Sequence, residues 1–160
     1  MEKGPSGRWS RPDLTAAAVC AELNRTGARY LVIGGVACIL HGHVRATTDI
    51  DILIERTEEN ASRILEALEG VGYGFARAWL PREIIARPIT IIGDDPAIDI
   101  FTIAWSVQYP DAKARSSTVE VQDVAVPLIG LDDLIASKRT GRLQDAADIE
   151  LLEEIRRLRG

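Results

Sequence analysis

Two aspartates, Asp49 and Asp51, interrupt an isoleucine-rich stretch that is predicted to be a β-strand over 49–55. Successive side chains of a strand point to opposite faces, so both carboxylates emerge on one face and the isoleucines on the other. Two unit charges about 4 Å apart repel each other by roughly 4 kcal/mol near a protein surface. A divalent cation that prefers oxygen ligands, such as Mg²⁺, would cancel this repulsion.

A third aspartate, Asp99, occupies a similar position in a later strand. The sequence predicts a hairpin whose strands cover 87–92 and 97–103, joined by a turn at 93–96. Asp99 stands between two isoleucines, and an aspartate within an apolar strand seldom lacks a partner. We therefore expect Asp99 to complete an acidic site with the first two aspartates. The alternative is that these residues only end a strand and form an ordinary salt bridge.

Gly34 and Gly35 follow a predicted strand, Tyr30–Ile33, and precede a short helix predicted over 36–40. Glycine permits a tight turn and a close approach of the backbone to a ligand. The N-terminus of a helix adds unpaired N–H groups and the positive end of the helix dipole. Together with the aspartates that follow, this arrangement favours a phosphate-binding turn over a purely structural one.

Two basic positions lie near these elements in different ways. Arg45 precedes Asp49 by four residues and can reach a bound phosphate, for which the arginine fork is well suited. The alternative is a salt bridge to a carboxylate of the site, and the two contacts can alternate as ligand binds and leaves. Lys138 belongs to a basic cluster with Arg139 and Arg142, and such clusters are usually solvated surface.

The spacing of these residues resembles a known signature. An apolar residue, the glycine pair, thirteen residues and then Asp-Ile-Asp-Ile resemble the signature of the nucleotidyltransferase superfamily related to DNA polymerase β. A fuller set of residues resembles its small bacterial branch, which includes minimal, aminoglycoside-type, lincosamide-type and toxin-type members. That set comprises Gly34-Gly35-x-Ala37, His41-Gly42, Arg45, Thr47, Thr48-Asp49-Ile50-Asp51 and a tail with Asp133-Leu134-Ile135-Ala136-Ser137-Lys138, Gly141-Arg142, Asp145 and Asp148.

The resemblance implies a site and a reaction. Asp49 and Asp51 would hold one or two Mg²⁺ ions, and Asp99 would complete the site and help to deprotonate an acceptor hydroxyl. The lysine that matches Lys138 faces the nucleotide pocket in this branch, which implies a phosphate contact. Many members carry serine where Gly35 stands, so here only a backbone N–H is left to contact phosphate. The implied reaction moves a nucleoside monophosphate from a nucleoside triphosphate, expected to be ATP, to a hydroxyl and releases pyrophosphate.

The acceptor and the partners stay open at this point. A small-molecule hydroxyl compound, a protein or an RNA end would each fit the resemblance. The short chain favours a homodimer that builds the acceptor pocket, or a macromolecular acceptor. The rival hypothesis is a non-catalytic nucleotide-binding or interaction module of the same fold, such as one half of a toxin–antitoxin pair. Metal-dependent hydrolysis of phosphate esters lacks support, because the sequence has no typical His/Asp cluster.

Composition narrows the class of protein. The 160 residues are 46% hydrophobic and 27% charged, which is typical of a globular protein, and we expect a single domain over 1–160 with a flexible lead-in over 1–9. The net charge of -5 argues against broad attraction to nucleic acid. Cys20 and Cys38 fall among apolar neighbours in predicted helices, so we expect buried free thiols and a cytoplasmic location. No apolar run has the length of a membrane span.

The whole pattern predicts an α+β fold, a nucleotidyltransferase-like mixed sheet flanked by helices, with further helices at the C-terminus. A helix is predicted over 11–25, capped by Ser10, with Pro12 in its first turn and an apolar face of Leu14, Ala17, Ala18 and Ala21. A second helix is predicted after Thr57, with an apolar stripe of Ala61, Ile64, Leu65 and Leu68. Two more helices are predicted from Leu131 and over 143–158, the latter with a stripe of Leu143, Ala147, Leu151, Ile155 and Leu158. Further strands are predicted over 74–79, 118–121 and 124–129, and 105–117 is expected to be an irregular loop over the active face. Asp145 and Asp148 are expected to cap the final helix or to pair with arginines.

Overall fold

The computed structural model describes residues 15–160, which form one mixed sheet and the helices around it. The helices are α1 (Ala16–Arg25), α2 (Gly34–Leu40), α3 (Glu58–Val71), α4 (Pro81–Ile85), α5 (Tyr109–Ala114), α6 (Leu131–Ser137) and α7 (Leu143–Arg159). The strands are β1 (Tyr30–Ile33), β2 (Ile50–Ile54), β3 (Ile89–Ile92), β4 (Ile98–Phe101), β5 (Ser117–Val121) and β6 (Val124–Leu128), and a 3-10 helix covers Gly74–Ala78.

The six strands lie in the order β3-β4-β2-β1-β6-β5. The pairs β1–β2, β3–β4 and β5–β6 are antiparallel, whereas β2–β4 and β1–β6 are parallel. The parallel pairing of β2 with β4 arises because α3 and α4 carry the chain over before the β3–β4 hairpin adds to the edge of the sheet. The predicted α+β fold with a mixed sheet is therefore confirmed.

The core forms where the helices cover the apolar side of the sheet. In β2 the side chains of Ile50, Ile52 and Ile54 are buried together, as the alternation of the sequence predicts. α3 begins after Thr57, whose hydroxyl accepts a hydrogen bond from the backbone N–H of Asn60 at 3.2 Å. Its buried face contains the predicted stripe of Ala61, Ile64, Leu65 and Leu68. This layer fixes β2, and with it the aspartate at its centre.

The first helix begins later than predicted. α1 starts at Ala16, because the hydroxyl of Thr15 caps it by accepting a bond from the N–H of Ala18 at 3.3 Å. The predicted cap, Ser10, and Pro12 and Leu14 lie outside the described residues. The apolar face predicted for this helix was also wrong in part. Val19, Cys20 and Leu23 are buried beside Ala17, whereas Ala18 and Ala21 are not buried.

Two segments of irregular sequence are helical. The weak strand predicted over 74–79 is the 3-10 helix, which follows a left-handed Gly72 at the end of α3 and has no neighbouring strand to pair with. The loop predicted over 105–117 contains α5. Pro110 lies in the first turn of α5, where its missing N–H costs no helical hydrogen bond.

The apolar stripe predicted for the last helix faces the wrong way. Leu143 and Leu158 are 90% and 71% exposed, whereas Asp145, Asp148 and Leu152 are buried. The inward face of α7 is polar because it meets basic side chains from the segment between α2 and β2, called here loop 41–49. Both cysteines are buried and free, as predicted. None of the described helices is long and apolar enough to cross a membrane.

Candidate active site

The parallel pairing of β2 with β4 places Asp51 directly opposite Asp99. Residues opposite each other in a sheet have Cβ atoms about 4.5–5.5 Å apart. The same row continues to Ile33 of β1 on one side and to Ile91 of the edge strand β3 on the other. Ile91 is 58% exposed, so the row opens towards solvent beside Asp99. Two aspartates that stand 48 residues apart in the sequence therefore share one site.

Burial and mutual repulsion strain this carboxylate pair. Burial raises the pKa of Asp51 to about 7, the charge and the hydrogen bond of Asp99 and the charge of Asp49 add to this, and the charge of Lys138 acts in the opposite direction. Burial and the charge of Asp49 also raise the pKa of Asp99, while the hydrogen bond with Asp51 lowers it. The Oδ1 atoms of Asp51 and Asp99 are buried and have no hydrogen-bond partner among residues 15–160. Two close, unsatisfied carboxylates of this kind suit a divalent cation.

Asp49 stands beside the pair rather than within it. β2 begins at Ile50 and not at Asp49 as predicted, and the Asp49 side chain is exposed, with one oxygen accepting a bond from the Thr48 hydroxyl at 3.3 Å. In the part of the chain that the structure describes, no three His, Cys, Asp or Glu side chains converge to hold a metal by themselves. Mg²⁺ is usually bound by one or two carboxylates together with water and substrate phosphates, so the residues present fit this ion.

The two glycines open α2 and bring its backbone against the carboxylate site. α2 begins at Gly34, two residues earlier than predicted, and Gly34 has a left-handed φ of 66°. A Cβ atom at Gly34 would lie 2.0 Å from Oδ2 of Asp51. At Gly35, which is buried, a Cβ atom would lie 2.6 Å from Oγ1 of Thr47. Both glycines therefore have a structural reason, because each leaves room for the side chain of a site segment.

Arg45 and Lys138 meet on one buried carboxylate. Nη1 of Arg45 donates to Oδ2 of Asp148 at 2.6 Å, and Nζ of Lys138 donates to the same oxygen at 2.9 Å. Nζ of Lys138 also lies 3.6 Å from Oδ1 of Asp145. The predicted pairing of Asp145 and Asp148 with arginines is confirmed, since Nε of Arg142 donates to Asp145 at 2.8 Å. Lys138 is only 7% exposed, so it is not part of a solvated surface cluster.

Sequence reasoning predicted an arginine partner for Asp148 but missed its contacts with Lys138 and His43. Asp148 is fully buried and also contacts His43, whose Nε2 lies 3.1 Å from Oδ1 of Asp148. The two residues are 105 positions apart, and no local pattern reports such a contact. His41 bonds to the backbone, with its Nε2 2.7 Å from the carbonyl oxygen of Ile129.

A cavity of about 310 Å³ lies beside Asp49. Its lining joins loop 41–49 to the starts of α1 and α2 and to the turn of the β3–β4 hairpin. The lining residues are Thr15, Ala16, Val36, Thr47, Thr48, Asp49, Ile50, Asp95 and Pro96. The volume is at the lower end of the range for small-molecule sites. The cavity therefore has room for part of a nucleotide or of a small acceptor next to the carboxylates.

Comparison with known proteins agrees with this geometry. Residues 14–158 match a family described as "Nucleotidyltransferase of unknown function (DUF6036)". An antigenic nucleotidyltransferase-like protein from Paracoccidioides brasiliensis has a similar structure, with a TM-score of 0.58 and 16% identity over 89% of this chain and 73% of that one. A putative nucleotidyltransferase from Thermotoga maritima has a TM-score of 0.50 and 16% identity over 88% and 87%. At this identity the two structures show the fold alone. No curated protein sequence matches the chain.

Replacing Gly34 by alanine tests the close approach of α2 to Asp51. The added Cβ meets Oδ2 of Asp51, and the left-handed backbone is unfavourable for alanine. We expect Gly34→Ala to lower the free energy of unfolding by about 2–4 kcal/mol in urea denaturation. Gly74→Ala is the matched control, because a Cβ there meets nothing within 4 Å. A Gly34→Ala protein as stable as the control would contradict this account.

The carboxylate pair predicts how stability depends on pH without metal. The pKa of Asp51 is about 7 in the folded protein and near 4 when unfolded, so the folded state binds the extra proton. The stability conferred by this group is thus greatest below about pH 4 and is lost as pH rises through about 7. In EDTA, the free energy of unfolding of Asp51→Asn relative to that of wild type should rise by on the order of 2–4 kcal/mol from pH 4 to pH 8. Mg²⁺ should stabilise wild type more at pH 8 than at pH 5.

Thermal and urea unfolding at several pH values, with and without Mg²⁺, measure this difference. Asp132→Asn serves as the control, because it removes an exposed carboxylate of α6 that pairs with Arg156 at 3.0 Å. A difference between wild type and Asp51→Asn that stays constant with pH would show that Asp51 is not strained by its neighbours.

Proposed function

The chain belongs to the family of nucleotidyltransferases of unknown function, and we propose that it transfers a nucleoside monophosphate from a nucleoside triphosphate, ATP in the first instance, to a hydroxyl acceptor. The observation that carries the proposal is the placement of Asp51 opposite Asp99, each with a buried unpaired oxygen. Asp49 and the start of α2 adjoin this pair. Nucleotide transfer needs such an acidic site beside a segment that can bind phosphate.

The acidic residues Asp49, Asp51 and Asp99 would hold one or two Mg²⁺ ions. When bound, Mg²⁺ neutralises phosphate charge and brings the attacking and leaving oxygens into line. The raised pKa values of Asp51 and Asp99 are relieved by a cation, because the charged forms then gain a partner. The fit of Mg²⁺ to this site rests on the Oδ1 atoms of Asp51 and Asp99, for which residues 15–160 supply no hydrogen-bond donor.

Asp99 is the candidate base. It lies on the open side of the pair, next to the exposed Ile91, so an acceptor can approach it from the edge of the sheet. The Asp99 carboxylate takes the proton of the acceptor hydroxyl, whose oxygen forms a bond to the α-phosphorus. The bond from the α-phosphorus to the oxygen that bridges to the β-phosphorus breaks, and pyrophosphate leaves with that oxygen.

Four residues are proposed to bind the phosphate chain. Gly34 and Gly35 begin α2 and lie against Asp51 and Thr47, and a phosphate oxygen would accept from the unpaired N–H groups of this helix start. Arg45 and Lys138 supply positive charge. The charge of Lys138 reaches Asp51, since it opposes the burial that raises the pKa of that carboxyl.

The acceptor stays open between a small-molecule hydroxyl compound and a protein or RNA end. The surface available to an acceptor is acidic on one side, where Asp95 and Asp49 line the cavity, and apolar on the other side, at the exposed Ile91. A homodimer that builds the acceptor pocket between its subunits, or a toxin–antitoxin partner, is part of the proposal. The non-catalytic module is the outcome that the experiments below would reveal.

Nucleotide binding is tested by calorimetry with ATP, with and without Mg²⁺. Wild type should bind ATP only with Mg²⁺, and Asp49→Ala/Asp51→Ala should lose this binding because its cation ligands are gone. The exposed-carboxylate control Asp132→Asn should bind as wild type does. Failure of folded wild type to bind any nucleoside triphosphate would contradict the proposal and favour an interaction module.

Transfer is tested by pyrophosphate release during an acceptor screen, including other copies of the protein and RNA ends. Asp99→Asn should reduce turnover by about 10²–10⁴-fold, the usual contribution of a general base, and should still bind Mg–ATP through Asp49 and Asp51, unlike Asp49→Ala/Asp51→Ala. Release of free phosphate instead of pyrophosphate would indicate hydrolysis. Full turnover by Asp99→Asn would remove Asp99 from the mechanism.

A further inference from the structure

The carboxylate of Asp148, on the inward face of α7, is fully buried and satisfied at both oxygens. Oδ2 accepts from Nη1 of Arg45 at 2.6 Å and from Nζ of Lys138 at 2.9 Å. Oδ1 accepts from Nε2 of Gln144 at 3.1 Å and lies 3.1 Å from Nε2 of His43. A carboxylate withdrawn from water is tolerated only with compensation of this kind.

The contacts of Asp148 tie three segments together. Arg45 and His43 belong to loop 41–49, which has no helix or strand of its own, and Lys138 ends α6. Burial alone would raise the pKa of Asp148, but the hydrogen bond from Lys138 and the charges of Lys138 and Arg45 lower it below its ordinary value. Asp148 is therefore an anion at neutral pH, and it fixes loop 41–49 to the end of α6.

The shared oxygen also decides where the two cations lie. Lys138 and Arg45 repel each other, and Oδ2 of Asp148 lies between them at hydrogen-bond distance from both. Their side chains are largely buried, with relative exposures of 9% for Lys138 and 21% for Arg45. Lys138 is near enough to Asp51 for its charge to act on that carboxyl. Both cations are thus held on one buried oxygen and not in solvent, and Lys138 lies within range of the carboxylate pair.

We propose that Asp148 is a positioning residue that holds Lys138 and Arg45 together for the phosphate chain of a magnesium nucleoside triphosphate. This role rests on the proposed function, and Asp148 itself touches no substrate. Long lysine and arginine side chains lose much conformational freedom when a ligand fixes them. A site in which they are already fixed binds more tightly, because this ordering cost has been met before the ligand arrives.

The test measures Mg–ATP affinity by calorimetry for Asp148→Asn and for a control on the same helix. Asparagine keeps the shape but removes the charge that holds the two cations together, so we expect affinity to fall about tenfold or more. Glu153→Gln removes a carboxylate of α7 whose ion pair is with the exposed Arg139, and it should bind within twofold of wild type. Inorganic triphosphate with Mg²⁺ should show a similar loss.

A double-mutant cycle separates positioning from a general structural defect. In a Lys138→Met background one of the two cations is absent, so Asp148→Asn should then weaken Mg–ATP binding by no more than about threefold. A merely structural role would produce the same loss in both backgrounds. Thermal unfolding of each variant reports whether the fold is kept.

Gln144→Met provides a second variant if Asp148→Asn does not fold. It removes one donor to Oδ1 of Asp148 from an exposed side chain and leaves every charge in place. We expect a two- to threefold loss of Mg–ATP affinity, against none for Gln108→Met at another exposed glutamine. Equal or tighter binding by Asp148→Asn, or by Gln144→Met where the former is unfolded, would overturn the positioning role and leave the proposed function intact. Absence of Mg–ATP binding by wild type would overturn both.

Discussion

Two carboxylates held opposite each other on neighbouring parallel strands are the constraint on which the rest of the structure depends. Asp51 and Asp99 repel each other, are partly withdrawn from water and each keep one oxygen without a donor in the described residues. A fold tolerates this arrangement when its apolar layers are strong, and the isoleucines of β2 and β4 are buried beneath the pair. The repulsion between the two carboxylates would be relieved when a cation binds there together with a phosphate.

The elements around the pair follow from that constraint. Gly34 lacks a side chain because Oδ2 of Asp51 occupies the space that a Cβ would need. Gly35 likewise leaves room for Thr47, so α2 and loop 41–49 can pack against each other. On the other side, the row of the sheet ends at an edge strand with the exposed Ile91. The site is therefore closed by backbone on one side and open on the other.

A second buried charge organises the cations. Asp148 lies in the last helix, yet its partners come from loop 41–49 and from the end of α6. This explains why α7 turns a polar face inward and leaves Leu143 and Leu158 to solvent. Burying a carboxylate without partners costs more free energy than burying a leucine gains. Here several donors meet the carboxylate of Asp148 and offset this cost.

Local patterns in the sequence were sufficient for some elements and not for others. The bounds of β1 follow from a run of four apolar residues, and the buried stripe of α3 follows from helical spacing and the Thr57 cap, all of which act within a few residues. The aspartates were predicted to share a site, but the direct opposition of Asp51 and Asp99 depends on strand order, which no local signal encodes. The contact of Asp148 with His43 spans 105 residues, and the buried position of Asp148 reverses the expected face of α7, so both were missed for the same reason.

The central claim is that the Asp51–Asp99 pair binds a divalent cation together with a nucleotide. The most direct measurement is anomalous diffraction from crystals grown with Mn²⁺ and a non-hydrolysable ATP analogue. The account predicts a Mn²⁺ peak within coordination distance of both carboxylates, with the triphosphate at the start of α2, and no peak in Asp51→Asn/Asp99→Asn crystals. An ordered carboxylate pair without Mn²⁺ in wild-type crystals, under conditions that saturate exposed sites, would contradict it.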